Sequence, residues 1–587
     1  MQKERILNEI LPRVTNPAQY LGTEKNAITK DPRAVRLSVA LAFPDTYEIG
    51  MSHLGLPILY DIANRDDRFA AERVFAPLPD FADVLARAGL TLPTLESGRP
   101  VRDFDVLGFS IQHELSYTTL LWMLDLSGIP LRSADRRPGD PIVIAGGPCA
   151  FSPEPLADFV DIFFLGDGEE SFPEFLSLCA DLRRAGASRA DVIRESALSI
   201  PGLYAPALYA PRYDPDGTLR AVEPLDPRAP FPVRARVVED LESAPCPTAP
   251  VVPLARTVHD RIMIEIMRGC ARGCRFCQAG ATKRPVRRRS PDLILRLAEE
   301  TYANTGHNEI ALTSLSSSDY PDIVGLARLL SERFRSRRVN LSLPSLRVGK
   351  ELSELPAVLA DVRRGGFTVA PEAASDRLRR IINKRVSESD LEKGVLEAYE
   401  AGWKVVKLYF MIGLPGEADE EVERIVDLAA HLSDLRRSMG SGPAQINATI
   451  SIFVPKALTP FQWAPMISVE EASRKRDALR RRRLRGSVRL KFHDARQSFL
   501  EGVFARGDRR LGELLLRAYA AGAKLEAWTE RFDFDLWTRV FREAPFDAVA
   551  HVTRERAAEE TLPWDHLSAG VPREKLRDEY DKAMAER

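Results

Sequence analysis

The feature that most constrains the fold is a regular alternation of short apolar runs with longer helical patterns. In the first third of the chain the runs are 36–43, 105–111, 141–147 and 161–170, separated by helical patterns such as 54–65 and 116–128. Strands that alternate with helices favour a parallel sheet with helices on both faces. The sequence therefore predicts a doubly wound α/β domain over 36–200, preceded by a helical extension at 1–35.

A second alternation of the same kind begins near residue 261. Its strand candidates are 261–267, 308–315, 339–346, 366–372, 403–413 and 448–455, with helical patterns such as 291–304 and 419–437 between them. Six strands with crossover helices predict a partial (β/α)6 barrel of the TIM type over 258–465. In such barrels the chemistry collects at the carboxyl ends of the strands.

The remaining segments have a different character. Residues 201–257 are rich in proline and contain the turn signal "DPDG" at 214–217, which predicts a small hairpin followed by a linker. Past about residue 465 the chain has mostly helical patterns, so 466–587 is predicted to be a helical C-terminal region.

Charge and composition give little support to several partner classes. The chain has 83 basic and 84 acidic residues, and this balance gives no reason to expect a nucleic-acid or membrane partner. No segment approaches the roughly 18 uncharged apolar residues of a membrane helix. The first residues, "MQKERILNEILPR", lack the apolar centre of a signal peptide. We therefore expect a cytoplasmic protein whose thiols stay reduced.

Three of the six cysteines lie within eight positions. The stretch "RGCARGCRFCQAG" (268–280) contains Cys270, Cys274 and Cys277. A structural zinc site wants four ligands, and the nearest histidines, His259 and His307, lie outside the loop. Three thiolates on a 4Fe–4S cluster leave one iron free to bind a small molecule. The spacing therefore favours a catalytic cluster over zinc or a redox disulfide.

This spacing, with the aromatic Phe276 before the third cysteine and a strand before the loop, resembles the radical S-adenosylmethionine (SAM) superfamily. The resemblance implies that the free iron chelates the amino and carboxylate groups of SAM. One electron, from a donor that would be a required partner, then cleaves SAM to methionine and a 5′-deoxyadenosyl radical, which takes a hydrogen atom from the substrate. The SAM contacts expected on this resemblance are Phe276, Ser314, Ser316, Ser345, Arg347 and Glu372.

The N-terminal domain carries a second resemblance. The stretches "FPDTYEIGMSHLG", "FDVLGFSIQHE" and "VIAGGPCAFSPEPLADFVDIFFLGDGEE" are similar to the Rossmann-like, cobalamin-binding-type domain fused ahead of many radical SAM proteins. The D-x-H-x-x-G motif, whose histidine ligates cobalt in other cobalamin domains, is absent. If cobalamin binds, backbone contacts are expected near Tyr47, Gly50, Gly146, Gly147, Gly166 and Glu169. The alternative is a sheet domain that only supports the barrel.

The domain also invites comparison with methylthiotransferases, which carry three N-terminal cysteines for a second cluster. Here the sheet domain has Cys149 and Cys179, and Cys246 lies in the linker, so a second cluster is disfavoured. Each of these cysteines is interpreted as a small buried hydrophobe.

These observations favour a radical SAM enzyme of unidentified substrate. With cobalamin, the natural reaction is methyl transfer to an unactivated carbon; without it, rearrangement or another group transfer. A different class is a non-catalytic RNA- or ribosome-associated iron–sulfur protein, because 474–485 holds eight basic residues in twelve. No aromatic side chain is interleaved there for base stacking, which favours a solvated helix face over RNA binding.

Overall fold

The computed structural model describes residues 2–344, 366–484, 487–544 and 546–587. The N-terminal domain is built on a six-stranded sheet of order β2-β1-β3-β4-β5-β6, in which β1 to β5 are parallel and β6 is antiparallel. Its strands are β1 Leu37–Phe43, β2 Phe69–Phe75, β3 Val106–Ser110, β4 Ile142–Gly146, β5 Ile162–Phe164 and β6 Leu203–Tyr204. The predicted doubly wound α/β fold is confirmed.

The strand order fixes where this sheet can bind a ligand. β1 lies between β2 and β3, so the chain runs from β1 to β2 at one edge of the sheet and then crosses back to β3 on the other side of β1. Ligands of open parallel sheets bind beyond the carboxyl ends of the strands at such a reversal. The crevice beyond β1 and β3 is therefore the favoured site in this domain.

Short strands join the two larger domains. β7 Tyr209–Tyr213 and β8 Leu219–Pro224 form an antiparallel hairpin, and 214–217 make its turn. β9 Val233–Arg234 pairs with β19 Leu567–Ser568 near the C-terminus. The segment 201–257 is therefore tied to the C-terminal region by a strand pair.

The second domain contains two parallel sheets and one short antiparallel pair. The first sheet holds β10 Ile262–Glu265, β13 Glu309–Thr313 and β14 Asn340–Ser342. The second holds β15 Phe367–Glu372, β16 Val405–Ile412, β17 Gln445–Ile452 and β18 Ser487–Phe492. The antiparallel pair is β11 Met267–Arg268 with β12 Arg287–Arg288.

β18 differs from the sequence prediction, which gave six strands and a helical region from 466 onward. This seventh parallel strand pairs with β17 and extends the sheet beyond residue 465. Its sequence, "SVRLKF", alternates polar and apolar residues, and only Val488 is fully buried. The strand also follows a run of arginines. The pattern therefore lacks the continuous apolar run of a strand buried on both faces.

The α-helices lie between and after these strands. They are Gln2–Arg5, Tyr47–Gly50, Gly55–Arg65, Pro79–Arg87, Tyr117–Leu126, Gly168–Arg184, Arg189–Ser199, Gln278–Thr282, Pro291–Thr305, Ile323–Phe334, Asp376–Ile381, Glu388–Glu400, Asp419–Ser438, Val469–Arg481, Ala495–Ala505, Leu511–Ala520, Phe534–Arg542, Ala548–Thr553 and Arg573–Met584. Within the described ranges, no helix is both long and apolar enough to cross a membrane.

The two domains share a hydrophobic core. One face of the N-terminal sheet, with Ala40, Leu107 and Phe109, belongs to a cluster that continues through β15 to β17 and into the C-terminal helices. A second cluster covers the opposite face of the sheet, and a third packs β10 and β13 against their helices. Burial of this shared apolar surface holds the sheet domain against the barrel.

Candidate functional site

The three clustered cysteines lie in one closed loop, residues 269–286, which we call the cluster loop. Its base is the strand pair β11–β12, and it contains Cys270, Cys274, Cys277 and the helix Gln278–Thr282. Cys277 begins that helix, and its Sγ accepts a hydrogen bond from the Gly280 N–H at 3.3 Å. A donor aimed at sulfur favours the thiolate, which is the form that binds metal.

A tight backbone shapes the entry to the cluster loop. Gly269 has φ +90°, and a Cβ there would lie 2.4 Å from the carbonyl oxygen of Lys283. A side chain would therefore clash with the returning strand as well as strain the backbone. Glycine at this position lets the two ends of the loop approach each other.

The three thiols of the cluster loop lie close enough for their charges to interact. Burial raises the pKa of Cys277, and the neighbouring thiols add to the rise, so a bound metal would be needed to keep it ionised.

The SAM contacts expected from the sequence fall in three places. Glu372 ends β15 with φ +68°, a backbone conformation that residues other than glycine rarely adopt. Its charge contributes to raising the pKa of Cys277, and its Oε1 lies 3.3 Å from Lys384 Nζ. It is therefore close to the cluster loop. Phe276 is half-buried against the main core. Ser345 and Arg347 lie outside the described residues.

Polar side chains also follow β13. The Ser314 and Ser317 hydroxyls lie 2.9 Å apart, and the Ser316 N–H donates to Ser314 Oγ at 3.2 Å. The hydroxyls of Thr313 and Ser316 are buried without a hydrogen-bond partner. Buried polar groups are normally paired, so these two are available to a bound ligand.

A cavity of about 490 Å³ lies between the N-terminal sheet and the barrel. Leu41, Phe109, Ile144 and Phe164 line it from the carboxyl ends of β1, β3, β4 and β5. Its opposite wall is formed by strand ends and the cluster loop, namely Glu265, Met267, Arg268, Gly269, Ala279, Lys283, Thr313, Ser314 and Leu315. The cavity therefore joins the crevice of the sheet to the loop that carries the cysteines.

Four of the six expected cobalamin contacts line this cavity: Gly146, Gly147, Gly166 and Glu169. The other two do not. The Tyr47 hydroxyl donates to Glu24 Oε1 at 3.1 Å, and a Cβ on Gly50 would meet the Phe75 ring at 2.3 Å. Both residues are thus packed inside the N-terminal domain, which their position directly after β1 did not reveal.

The glycines that line the cavity differ in whether a side chain could be accommodated. A Cβ on Gly147 (φ +110°) would lie 2.5 Å from Ile111 O, and one on Gly166 (φ +96°) would lie 2.1 Å from Arg236 O. Their backbone conformation demands glycine whatever the cavity holds. At Gly146 the nearest side-chain atom would be 3.6 Å away, so a side chain would fit there and enter the cavity.

Sequence reasoning gave no role to two polar residues of the cavity wall. His53 and Gln112 both line it. The Leu56 N–H donates to His53 Nδ1 at 3.3 Å, and burial lowers the pKa of His53 to about 4. The imidazole is therefore neutral, with its proton on Nε2. The sequence did not predict that His53 lines the cavity, because no local motif marks it. The short helix Tyr47–Gly50 before it sets its position.

Comparison with known families assigns the two halves of the chain. Residues 264–429 match the model of the radical SAM superfamily, and residues 55–206 match that of the N-terminal region of radical SAM proteins. The chain belongs to the radical SAM superfamily. As a radical SAM enzyme it uses a 4Fe–4S cluster and SAM.

Individual relatives of this radical SAM enzyme are distant. An uncharacterized protein of Methanocaldococcus jannaschii is 26% identical over 485 residues, which is 81% of this chain and 90% of the relative. A ribosomal protein uS12 methylthiotransferase of Thermotoga petrophila is 25% identical over 177 residues, covering 28% of this chain and 39% of that enzyme.

A solved structure also resembles much of the chain. It is the radical SAM methyltransferase TsrM from Kitasatospora setae with cobalamin and a 4Fe–4S cluster bound. It has a TM-score of 0.48 and 16% identity over 71% of this chain and 75% of its own.

A second polar cluster begins at His113, directly after Gln112 of the cavity wall. Lys456 Nζ lies 2.5 Å from Glu114 Oε1 and 2.8 Å from Glu501 Oε1, and His113 Nε2 lies 3.3 Å from Glu501 Oε2. The one ammonium group of Lys456 already pairs with both carboxylates, which offsets part of the negative charge that could otherwise hold a metal ion. These residues come from three chain segments and connect the sheet domain, the barrel and the C-terminal helices.

Among the described residues of the basic run, Arg474, Lys475, Arg476 and Arg482 form ion pairs with acidic side chains. Arg474 lies 2.8 Å from Asp419, and Arg482 lies 3.1 Å from Glu423. Lys475 is buried between Glu417 and Asp419. Cations already matched by carboxylates have little charge left for phosphates, which favours the solvated, ion-paired helix over an RNA site.

Proposed function

We propose that Cys270, Cys274 and Cys277 hold the 4Fe–4S cluster beside a cavity that binds a corrinoid, and that the enzyme transfers a methyl group to an unactivated carbon. The supporting observation is the position of the cavity. It opens beyond β1 and β3, where the strand order reverses, and the cluster loop forms part of its opposite wall. The same cavity thus adjoins both the strand ends of the sheet and the cluster loop.

The lining of the cavity suits a large, flat and partly apolar ligand. Leu41, Ile58, Ile144 and Phe172 offer an apolar surface to a macrocycle, and Ser110 and Gln112 can hydrogen-bond to peripheral amides. A volume of about 490 Å³ lies within the roughly 300–1,000 Å³ usual for cofactor sites. The chain's own side chains thus fit the chemistry of a corrinoid.

The cofactors divide the reaction between them. When bound, the corrinoid supplies the methyl group, and the cluster with SAM supplies the radical that removes a hydrogen atom from the acceptor carbon. The protein's residues hold and shield these groups. We assign hydrogen bonds to SAM to the buried hydroxyls of Thr313 and Ser316 and to Glu372. The apolar side chains that line the cavity would limit the access of water to a reactive radical.

A second candidate function assigns the cavity to the substrate itself. Thr313, Ser314 and Leu315 line it at the carboxyl end of β13, where a barrel enzyme binds the molecule on which it acts. Without a corrinoid, hydrogen abstraction would lead to rearrangement or another group transfer.

Corrinoid retention separates the two candidates. Anaerobically reconstituted protein is mixed with hydroxocobalamin, freed of excess and examined by absorbance. Wild-type protein should retain corrinoid, and Gly146→Leu should bind it at least about tenfold more weakly because the side chain occupies the cavity. Gly139→Leu is the matched control, since it places the same side chain just before β4 with no atom within 4 Å of the new Cβ.

The outcomes are distinct. Wild-type protein without corrinoid bands would contradict the proposed cofactor and favour the second candidate. Equal retention by the Gly146 and Gly139 variants would place any corrinoid outside this cavity.

A further inference from the structure

Two arginines face each other at the base of the cluster loop. Arg268 of β11 and Arg287 of β12 are direct partners in the antiparallel pair. Both are buried, at 9% and 6% exposure. Like charges directly opposite each other destabilise a strand pair, and burial increases the repulsion. This pair therefore needs an anion between its members.

One carboxylate of the N-terminal domain provides that anion. Asp167 Oδ1 lies 3.3 Å from Arg268 Nη1, and Oδ2 lies 2.6 Å from Arg287 Nη1. A third cation of the loop, Lys283, places its Nζ 3.0 Å from Oδ1. Asp167 is itself buried, at 5% exposure, just after β5. Three cations, two at the base of the cluster loop and one within it, thus converge on one side chain of the other domain.

The three cations differ in how much they depend on Asp167. Arg268 has two further carboxylates, Glu169 at 2.5 Å and Glu265 at 2.7 Å. Among the described residues, Asp167 is the one carboxylate that forms an ion pair with Arg287 or Lys283. Losing it would leave Arg287 buried without an anion, which costs far more than losing a surface pair.

The carboxylate is fixed in place from its own side. The Asp167 N–H donates to Arg236 O at 2.9 Å, and the Val238 N–H donates to Asp167 Oδ2 at 3.2 Å. Burial alone would raise the pKa of Asp167, but Lys283, Arg268 and Arg287 hold it well below its usual value. The anion is therefore both positioned and permanently charged.

We propose that Asp167 is a positioning residue through which the N-terminal domain closes the base of the cluster loop and so controls how firmly the cluster is held. This inference rests on the proposal that the loop binds the cluster. Because Asp167, Arg268 and Lys283 also line the cavity, its occupant would touch the same ion-pair network.

The test is the rate at which reconstituted protein loses iron to an Fe(II) chelator under anaerobic conditions, with the electron paramagnetic resonance (EPR) spectrum of the reduced cluster recorded alongside. Asp167→Asn keeps the size of the side chain and removes its charge. We expect it to lose iron at least about tenfold faster than wild type and to show an altered spectrum. Glu170→Gln is the matched control, because it breaks an ion pair with Arg236 nearby that does not involve the cluster loop.

A rescue variant keeps the test valid if the single variant folds poorly. Adding Arg287→Gln to Asp167→Asn removes the repulsion between the two arginines and should return the iron-loss rate to within about threefold of wild type. If the single variant is insoluble, recovery of soluble, cluster-loaded double variant supports the proposal, and failure to recover it contradicts the proposal.

Two results identify which idea has failed. Equal iron-loss rates and spectra for the Asp167 and Glu170 variants would overturn the role of Asp167 while leaving the cluster assignment intact. Wild-type protein that binds no cluster at all would instead overturn the proposed function.

Discussion

At the scale of single residues, the six thiols divide into two groups by environment. Those of the cluster loop are half-buried and close enough for their charges to interact. Burial raises the pKa of Cys179 to about 12, and burial also raises that of Cys149. Cys149 and Cys179 belong to hydrophobic clusters on opposite faces of the N-terminal sheet, which argues against a second iron–sulfur cluster held by both.

Alanine substitutions test this division. Replacing any one of Cys270, Cys274 or Cys277 should remove the cluster absorbance and abolish formation of 5′-deoxyadenosine from SAM, because it removes one of the three protein ligands that we assign to the cluster. Cys246→Ala, in the linker, is the matched control and should retain both. Turnover in all three loop variants would refute the assignment of the ligands.

A buried glutamate of the C-terminal region predicts a pH dependence. Burial raises the pKa of Glu526 from 4.5 to about 7, opposed by a hydrogen bond from Trp537 Nε1. Between these values the unfolded chain ionises while the folded chain keeps its proton, so stability falls as the pH rises from about 4.5 to 7. A rise of this size corresponds to roughly 3 kcal/mol at about 1.36 kcal/mol per pH unit.

Glu526→Gln should therefore raise the thermal midpoint at pH 8 and leave it unchanged near pH 4.5. The amide keeps an acceptor for Trp537 and removes the buried charge. Glu530→Gln, on the exposed part of the same segment, should give no gain at either pH. An equal gain for Glu526→Gln at both pH values would show that the buried charge is not the cause.

At the scale of elements, the helix Val469–Arg481 is fixed by charge rather than by apolar contacts alone. Lys475 is 6% exposed and lies 3.0 Å from Glu417, which is 3% exposed. Glu417 Oε1 also accepts the Gly413 N–H at 2.9 Å, next to the end of β16. This pair connects the helix to the loop that follows β16.

Lys475→Met should destabilise the protein by about 3 kcal/mol, because it leaves Glu417 buried and unpaired. Arg481→Ala, an exposed position of the same helix, should change stability by no more than about 0.5 kcal/mol. Denaturant unfolding of the two variants provides the measurement. Equal stability would mean that Glu417 is solvated when its partner is absent.

The elements also show what sequence patterns can and cannot predict. Strands β1, β3 and β4 were predictable because they are continuous apolar runs. β2 was not, because Glu72 and Arg73 interrupt it; both are buried, and Arg73 pairs with Glu24 and Glu96 from distant segments. The cysteines were predictable from local spacing. The role inferred for Asp167 was not, because its partners lie more than a hundred residues away in the sequence.

At the scale of the whole molecule, the cavity depends on three regions at once. The sheet provides its apolar floor, the barrel provides strand ends, and the cluster loop provides the wall between them. The shared core and the buried ion pairs hold these regions together. The function we propose therefore depends on the interface between the domains rather than on the barrel alone.

The most direct test of the central claim is electron–nuclear double resonance of the reduced protein with SAM isotopically labelled at its amino nitrogen and carboxylate oxygens. A cluster tied to the chain by Cys270, Cys274 and Cys277 has one iron without a protein ligand, so both labels should couple to the cluster spin. Absence of coupling from either label, with the cluster intact and SAM bound, would contradict the account.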